Sequence, residues 1–399
     1  MKALIAGAGV GGLTAAIALR ARGVEVEVFE AAPESRTSGG GLGIACNATK
    51  ALTALGIDLP SAGVGRVCER FTLRTARGRL MRELPIRSIA TELGSPVVNL
   101  RRSDLVTLLR DKAGDTPIHY GAEVVGYGRG DNGVSVTCAD GRTATGDLLV
   151  GADGIRSAIR ASTIGRDPIN EYGYVCWIAT VAFEHSRLPP GGAAHYWGRG
   201  QRFGLIDIGG GHVYWWGTKN VPVERARRWT GTKHDILRCY EGWAREVGEV
   251  ISRTPEADIV SVPAQDRTFA DSWGDGPVTL LGDAAHPMLT SLSQGAGSAI
   301  EDGYTLAYHL AHADDVVVGL RRYEDARRER TRWLVSASRR LSRTEQIEHP
   351  VAVGLRDLVL RYAPASAVRG QNIAPMRWDP PQDRARQTRK SRADKEITR

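Results

Sequence analysis

The first thirty residues constrain the fold more than any other stretch. Ala3-Leu4-Ile5-Ala6 is an apolar run with no polar face, as a strand buried inside a parallel sheet must be. Gly7-Ala8-Gly9-Val10-Gly11-Gly12 follows and fits G-x-G-x-x-G, with Gly7, Gly9 and Gly12 in the three glycine positions. Leu13, Ala16, Ile17, Ala18 and Leu19 recur at helical spacing, and Gly23 ends that helix. Val24, Val26 and Val28 then alternate into a second strand that Glu30 closes. The gap from turn to acid is the roughly 20 residues that let a carboxylate reach a ribose hydroxyl. A bare glycine pattern also occurs in ordinary βα turns. Here the strand, helix, second strand and acid accompany it, so an ADP-containing dinucleotide is the expected ligand, its phosphates at the helix N-terminus.

At 399 residues the chain is long enough for two domains, or for one large α/β domain with an inserted lobe. The 53 basic and 45 acidic residues leave +8, a mild excess. Part of it sits in Arg384, Arg386, Arg389, Lys390, Arg392, Lys395 and Arg399, beyond Asp379-Pro380-Pro381. That stretch has no hydrophobic period, so 381–399 reads as a disordered basic tail. Nothing in the body of the chain supports a nucleic-acid arm. Cys46, Cys68, Cys138, Cys176 and Cys239 are odd in number and far apart, which excludes a disulfide framework and a zinc or other metal site and points to a reducing cytoplasm. The first strand begins too early for a signal peptide, and no apolar run approaches the ~18 residues of a membrane span. A soluble protein follows from this reading.

A second glycine-rich segment, Gly39-Gly40-Gly41-Leu42-Gly43-Ile44, precedes Asn47 and a helical pattern through Leu52, Leu55 and Ile57. Such density means either a loose loop or backbone passing close to something bulky. Residues 70–98 are strand-like and irregular. Asn99-Leu100-Arg101-Arg102-Ser103-Asp104-Leu105 starts a helix that Ser103 or Asp104 can cap. Asp147-Leu148-Leu149-Val150-Gly151-Ala152-Asp153-Gly154 is another buried strand entering a glycine turn, with Ile155, Arg156 and Ile159 continuing as helix. Between 166 and 270 the pattern changes to short alternating strands rich in Trp and Tyr, an antiparallel sheet inserted into the α/β domain. Val278 to Asp283 returns to the buried-strand style, and helices follow at 298–309, 321–341 and 351–362. The reading is a Rossmann-like α/β domain of 1–70, 96–165 and 271–345, a sheet domain of 71–95 and 166–270, and a helical segment of 346–380.

Three glycine turns, each after a buried strand, exceed what a simple dehydrogenase needs. With Val150-Gly151-Ala152-Asp153-Gly154-Ile155-Arg156-Ser157, Gly282-Asp283-Ala284-Ala285-His286-Pro287 and Gln294-Gly295-Ala296-Gly297-Ser298-Ala299-Ile300-Glu301-Asp302, the chain resembles a known family over about residues 1 to 340. It is the single-component, FAD-dependent aromatic monooxygenases of the para-hydroxybenzoate hydroxylase-like group. Within it the chain looks closest to short members such as the urate, salicylate and 6-hydroxynicotinate hydroxylases.

The resemblance implies tightly held FAD, transient NADH or NADPH, and O2 as co-substrate, the oxygen delivered from a C4a-hydroperoxide of the flavin. No second G-x-G-x-x-G offers a separate nicotinamide domain. Glu30 would hold the adenosine ribose beside the Ala31 backbone, and Arg102 would reach the pyrophosphate or ribityl chain. Val124 would line the adenine, Asp153 would organise the nucleotide, and Asp283 would accept from ribityl hydroxyls. Gly41 and Gly43 would lie along the flavin. The helix opened by Gly295, Ala296 and Gly297 would point at the ring. Arg202 and Tyr214 align with positions that touch substrate, and Trp177, His195 and Trp216 are further pocket candidates, each with core packing as its alternative. The sequence departs from the family at Thr290, where proline is usual, at Ser293, where glycine is common, and at Cys46, which replaces the proline before the retained Asn47. The expected activity is hydroxylation or epoxidation of a small aromatic, heteroaromatic or other electron-rich substrate by a monomer or homodimer. A flavin-dependent reductase of the geranylgeranyl-reductase type and a non-catalytic FAD-binding protein are the competing readings.

Overall fold

A computed structural model describes residues 1–34, 40–130 and 133–382. Gly39, Asp131-Asn132 and residues 383–399 of the basic tail lie outside the described residues. Among the described residues, a six-stranded sheet runs Gly274–Asp275, Val278–Leu280, Leu148–Gly151, β1 (Lys2–Ala6), β2 (Glu25–Glu30), Ile118–Tyr120. All of its pairings are parallel except that of the two-residue edge strand Gly274–Asp275. Ala3, Leu4 and Ile5 of β1 are wholly buried, which is why the strand is apolar on both faces beyond Lys2.

Helix α1 (Val10–Arg20) crosses from β1 to β2 and is buried nearly all round, because the helix Gly295–Ala311 covers its outer side. Their close approach rests on small residues: a Cβ at Gly303 would sit 2.8 Å from the Ala15 nitrogen, and one at Gly11 would meet Leu281 and Ala299. Strand β3 (Gly41–Ile44) pairs antiparallel with Val98–Arg101 and leads into α2 (Cys46–Ala54).

The second large sheet has seven strands, ordered Val260–Arg267, Ile169–Ala182, His212–Asn220, Gln201–Gly209, Gly192–Trp197, Arg70–Thr75, Leu80–Leu84. It is not purely antiparallel: Gly192–Trp197 runs parallel to Arg70–Thr75, because the latter strand joins the edge from a separate excursion of the chain. Helices Val223–Arg227, Lys233–Cys239 and Arg245–Arg253 cover its back face, where Val247, Val250 and Ile251 pack on Phe203 and Trp215. The irregular stretch after residue 84 contains the helix Ile86–Leu93. Helix Arg102–Lys112 has Arg101 at its N-cap with no side-chain cap, so neither Ser103 nor Asp104 caps it; Asp104 instead lies in its first turn, near the positive helix end. Ile155 and Arg156 precede the next helix, Ala158–Ile164, which Ser157 caps through the Arg160 N–H at 2.7 Å. Three further helices, Val316–Glu345, Pro350–Tyr362 and Ala365–Ile373, carry the chain back across both sheets.

The tightest packing in the first βαβ unit is at Gly12, where a Cβ would overlap the Gly7 carbonyl oxygen. Gly12→Ala is therefore expected to lower the unfolding free energy by about 3 kcal/mol, measured by denaturant titration.

Candidate functional site

The glycine turn is built from three different requirements. Gly7 has φ +105°, and a Cβ there would overlap the Ala152 carbonyl, so only glycine lets the turn from β1 to α1 pass the end of the Leu148–Gly151 strand. Gly12 packs helix on turn. Gly9 is the opposite case, since a Cβ there would meet nothing within 4 Å. It is the N-cap of α1, which has no side-chain cap and no acid in its first turn. The helix end thus presents free N–H groups to open space, a cradle with the shape and sign for phosphate. The Glu30 carboxylate is fixed beside it by the Ala8 N–H at 2.8 Å and the Ala32 N–H at 2.9 Å, with exposed Ala31 between. The Ala122 N–H donates to the Glu30 carbonyl at 2.8 Å, which brings the approach to buried Val124 alongside the end of β2.

A second group of predicted residues converges on the same cleft. Asp283 is solvent-accessible yet surrounded closely enough that burial pushes its carboxyl up, opposed by the charges of His286 and Arg102. That electrostatic link puts Arg102 and Asp283 on one space. A Cβ on Gly295 would lie 3.9 Å from Asp283 Oδ1, so the start of helix Gly295–Ala311 borders it as well. Gly295 and Ala296 are partly open, and this helix also lacks a capping side chain and an acidic first turn. Asp153 works differently. Its Oδ2 accepts the Ala158 and Ile159 N–H groups at 2.8 and 3.2 Å, while its buried Oδ1 has no partner in the structure. These donors, acceptors and openings fit a dinucleotide lying from Glu30 across Gly9 to Asp283 and Gly295.

Beneath the helix start lies a charged network that sequence patterns did not reveal. Glu301 and Asp302 are adjacent, and both are wholly buried. Arg327 reaches both, at 2.5 Å from Glu301 and 2.7 Å from Asp302, and Arg330 adds two bonds of 2.8 Å to Glu301. Asn47 donates to Glu301 at 2.5 Å and to Gln294 at 2.9 Å. His286 meets Asp302 at 2.6 Å, and the Gly282 N–H donates to the same oxygen at 3.0 Å. Burial works against the Asp302 carboxylate, but His286 and Arg327 more than offset it and hold it down at about 2. The arginines stand on a helix that reads from sequence as charged and amphipathic, and that pattern cannot tell a buried guanidinium from a solvated one.

The other wall is the front face of the seven-stranded sheet. Tyr214, Trp216, His195 and Arg202 occupy alternate positions on it, and register pairs Gly204 with both His195 and Trp216. Trp177 does not join them. It is fully buried on the back face with Phe203 and Trp215, so the expectation that it lines the pocket is corrected to core packing. Arg202 is on this face too: it is 2% exposed, pairs with buried Glu345 at 2.6 Å, and lies under Trp216 at 4.9 Å. Its Nε has no partner in the structure. His195 is edge-on to Phe71 at 4.5 Å and to Trp216 at 4.7 Å. Burial and the Arg202 charge push its imidazole down to about 3, so it is neutral across the physiological range. Burial also pushes the Tyr214 phenol up, keeping it protonated.

In the second glycine segment the bulky neighbour is a side chain of the facing sheet. A Cβ at Gly40 would press on Tyr214 and Ile178, and one at Gly41 would overlap the Tyr214 ring. Gly43 has only Asn99 Oδ1 near, at 3.4 Å. Tyr214 by itself excludes a side chain at Gly41. The family departures are equally specific. Thr290 is exposed at the start of the turn Thr290–Leu292. Ser293 has φ +52°, the one non-glycine residue with positive φ among the described residues, in the position where glycine is common. Cys46 is buried at the head of α2.

Comparison with known proteins agrees with this geometry. Residues 1–338 match the family described as FAD binding domain. Aurachin C monooxygenase/isomerase of Stigmatella aurantiaca is 33% identical over 378 residues, 94% of this chain and 98% of its own. FAD-dependent urate hydroxylase of Klebsiella pneumoniae is 30% identical over 342 residues, 85% of this chain and 89% of its own. The crystal structure of Klebsiella pneumoniae HpxO complexed with FAD and uric acid aligns with TM-score 0.88 at 26% identity, covering 94% of this chain and 96% of that one.

Two outcomes are expected from these observations. Gly9→Ala folds with unchanged stability, because its methyl enters open space, but it weakens FAD binding by about tenfold, read by flavin fluorescence titration. His195 has a folded pKa below its ordinary 6.5, so the unfolded chain takes up the proton first and stability falls as pH drops from about 6.5 towards about 3. His195→Gln is expected to flatten the pH dependence of unfolding free energy in that window relative to the unaltered chain.

Proposed function

The chain belongs to the FAD binding domain family, its relatives are FAD-dependent monooxygenases, and from that premise we propose that it uses NADH or NADPH and O2 to insert one oxygen atom into a small aromatic, heteroaromatic or other electron-rich molecule. The observation that carries this reading is the meeting of two unlike surfaces where the Tyr214 ring lies on the backbone of Gly40 and Gly41. On one side stand two uncapped helix starts with Glu30, Arg102 and Asp283; on the other stands the aromatic sheet face of Tyr214, Trp216 and His195.

FAD, when bound, supplies the redox chemistry, accepting a hydride from the nicotinamide donor and activating dioxygen. The chain's residues do the rest. The N–H groups at the start of α1 receive the pyrophosphate in the space left by Gly9, and Glu30 offers its remaining lone pairs to ribose hydroxyls. Arg102 supplies positive charge to the phosphate or ribityl region, and Asp283 accepts from ribityl hydroxyls. The N-terminus of helix Gly295–Ala311 puts N–H groups and partial positive charge where the ring must hold added electrons. The buried carboxylate–arginine network keeps that helix start from shifting.

On the substrate side, Trp216 offers a flat face backed by Arg202. The protonated Tyr214 hydroxyl donates a hydrogen bond, and neutral His195 donates from one ring nitrogen and accepts at the other. With Phe71 and Met376 packed in the same cluster, the wall is largely apolar, which suits a flat substrate and keeps water from the reacting atoms. The five free cysteines, four of them buried, fit the reducing cytoplasm we propose for it.

The test is a ligand screen on FAD-loaded protein that follows NAD(P)H oxidation, O2 uptake and hydrogen peroxide together. A true substrate accelerates NAD(P)H oxidation, consumes O2 and appears as an oxygenated product. Alkene reduction without O2 uptake would favour a reductase instead, and yellow protein inert to both nicotinamides would favour a binding protein. Trp216→Ala is expected to raise KM about tenfold, equivalent to ~1.4 kcal/mol of lost stacking, and to divert turnover to peroxide.

A further inference from the structure

The helix Pro350–Tyr362 is turned inside out. Its sheet-facing side is anchored by a charge: Arg356 is 5% exposed, donates to the Gly198 carbonyl at 3.0 Å, pairs with Asp357 at 2.9 Å and lies over Trp197. Leu360 packs beside it against Leu73 and Trp197. The opposite side is aliphatic and aromatic, and it faces solvent. Val351, Leu355, Leu358, Val359 and Tyr362 recur at helical spacing and are 54–74% exposed. A contiguous apolar stripe of this kind on a helix marks an interaction surface rather than a fold requirement. Arg82, from the neighbouring edge strand, donates to the carbonyls of Leu360, Arg361 and Ala363, so the helix end is fastened and the stripe is held outward.

Charge identifies the occupant. Residues 350–399 hold eleven Lys and Arg against five Asp and Glu, so six of the chain's eight net positive charges lie in the segment that carries the stripe. Arg361 is exposed on the helix itself, stacked on Tyr362. The chain's own C-terminus is a poor cover for the stripe, since residues 381–399 offer only Ala385, Ala393 and Ile397 besides Pro381 as apolar side chains. Two copies meeting stripe to stripe would bring two basic segments together. An exposed apolar helix face, carried by a chain segment whose sequence is net positive, matches the boundary of an anionic bilayer, where aliphatic side chains enter the acyl region and cations meet the headgroups. No helix among the described residues is long and apolar enough to cross a membrane, so contact of this kind would be peripheral.

We infer that the helix Pro350–Tyr362 docks the protein on an anionic lipid surface through Val351, Leu355, Leu358, Val359 and Tyr362. The same C-terminal segment runs on to Met376, which packs on the hydrophobic cluster that Tyr214 and Trp216 also border. The inference stands on the exposed stripe and the charge distribution, independent of the reaction.

Vesicle flotation of the full FAD-loaded chain tests it. Binding to phosphatidylglycerol-containing vesicles is expected to exceed binding to pure phosphatidylcholine by at least about tenfold and to weaken with salt. Leu355→Asp with Val359→Asp is expected to cut that binding about tenfold or more while melting temperature and FAD loading stay unchanged. Leu355→Ser with Leu358→Ser serves if the acidic pair disturbs folding. No flotation, or flotation indifferent to both stripe variants, overturns the inference. So does a concentration-dependent dimer, seen by sedimentation, that the stripe variants dissolve without any vesicle binding.

Discussion

Two adjacent carboxylates on one helix, Glu301 and Asp302, are taken wholly out of water, and the site depends on what comes to meet them. Alone, each would carry a desolvation cost of several kcal/mol. Arg327 and Arg330 from the long helix Val316–Glu345, His286 from the turn after the last parallel strand, and Asn47 from α2 converge on them from three directions. The four partners come from three elements, so the network fixes the relative position of all three around the start of helix Gly295–Ala311. That start is one of the two helix ends that face the cleft. Removing Arg327 would take away the one cation that Glu301 and Asp302 share, which is why such a cluster positions a helix so firmly.

The nucleotide half of the site was legible because its signals are local. A glycine that needs φ +105°, a helix phased every three or four residues and an acid at the end of β2 are all written within thirty consecutive positions. The substrate half was legible only as composition. Aromatic strands announced a sheet, but which aromatic faces the cleft depends on strand parity. Between Glu171 and Val175 the register of Ile169–Ala182 shifts at a bulge, with Gly173 at φ +62°. Trp177 stands opposite Gly217, one position from Trp216, so the two tryptophans fall on opposite faces, Trp177 in the core and Trp216 on the front. The covering helices, five to nine residues each, were too short for periodicity to separate from loop. Long-range ion pairs such as Arg202 with Glu345 leave no local signature at all.

The family departures fall where backbone rather than chemistry decides. Ser293 keeps the left-handed conformation of the glycine it replaces, at a cost of roughly 1–2 kcal/mol. It adjoins Gln294, whose side chain is tied to Asn47, and it follows Ser291, whose hydroxyl donates to Glu345 at 2.6 Å. The loop before the helix is thus braced at both ends, which is how a strained residue persists there.

Tyr214 stands between the two walls in a literal sense. Its ring is seated on bare backbone at Gly40 and Gly41, with no side chain between to absorb movement. Whatever tilts that ring must therefore displace β3, whose partner strand Val98–Arg101 leads directly into Arg102. The two walls thus share a single rigid contact, the Tyr214 ring on β3, whose partner strand carries the chain straight into Arg102.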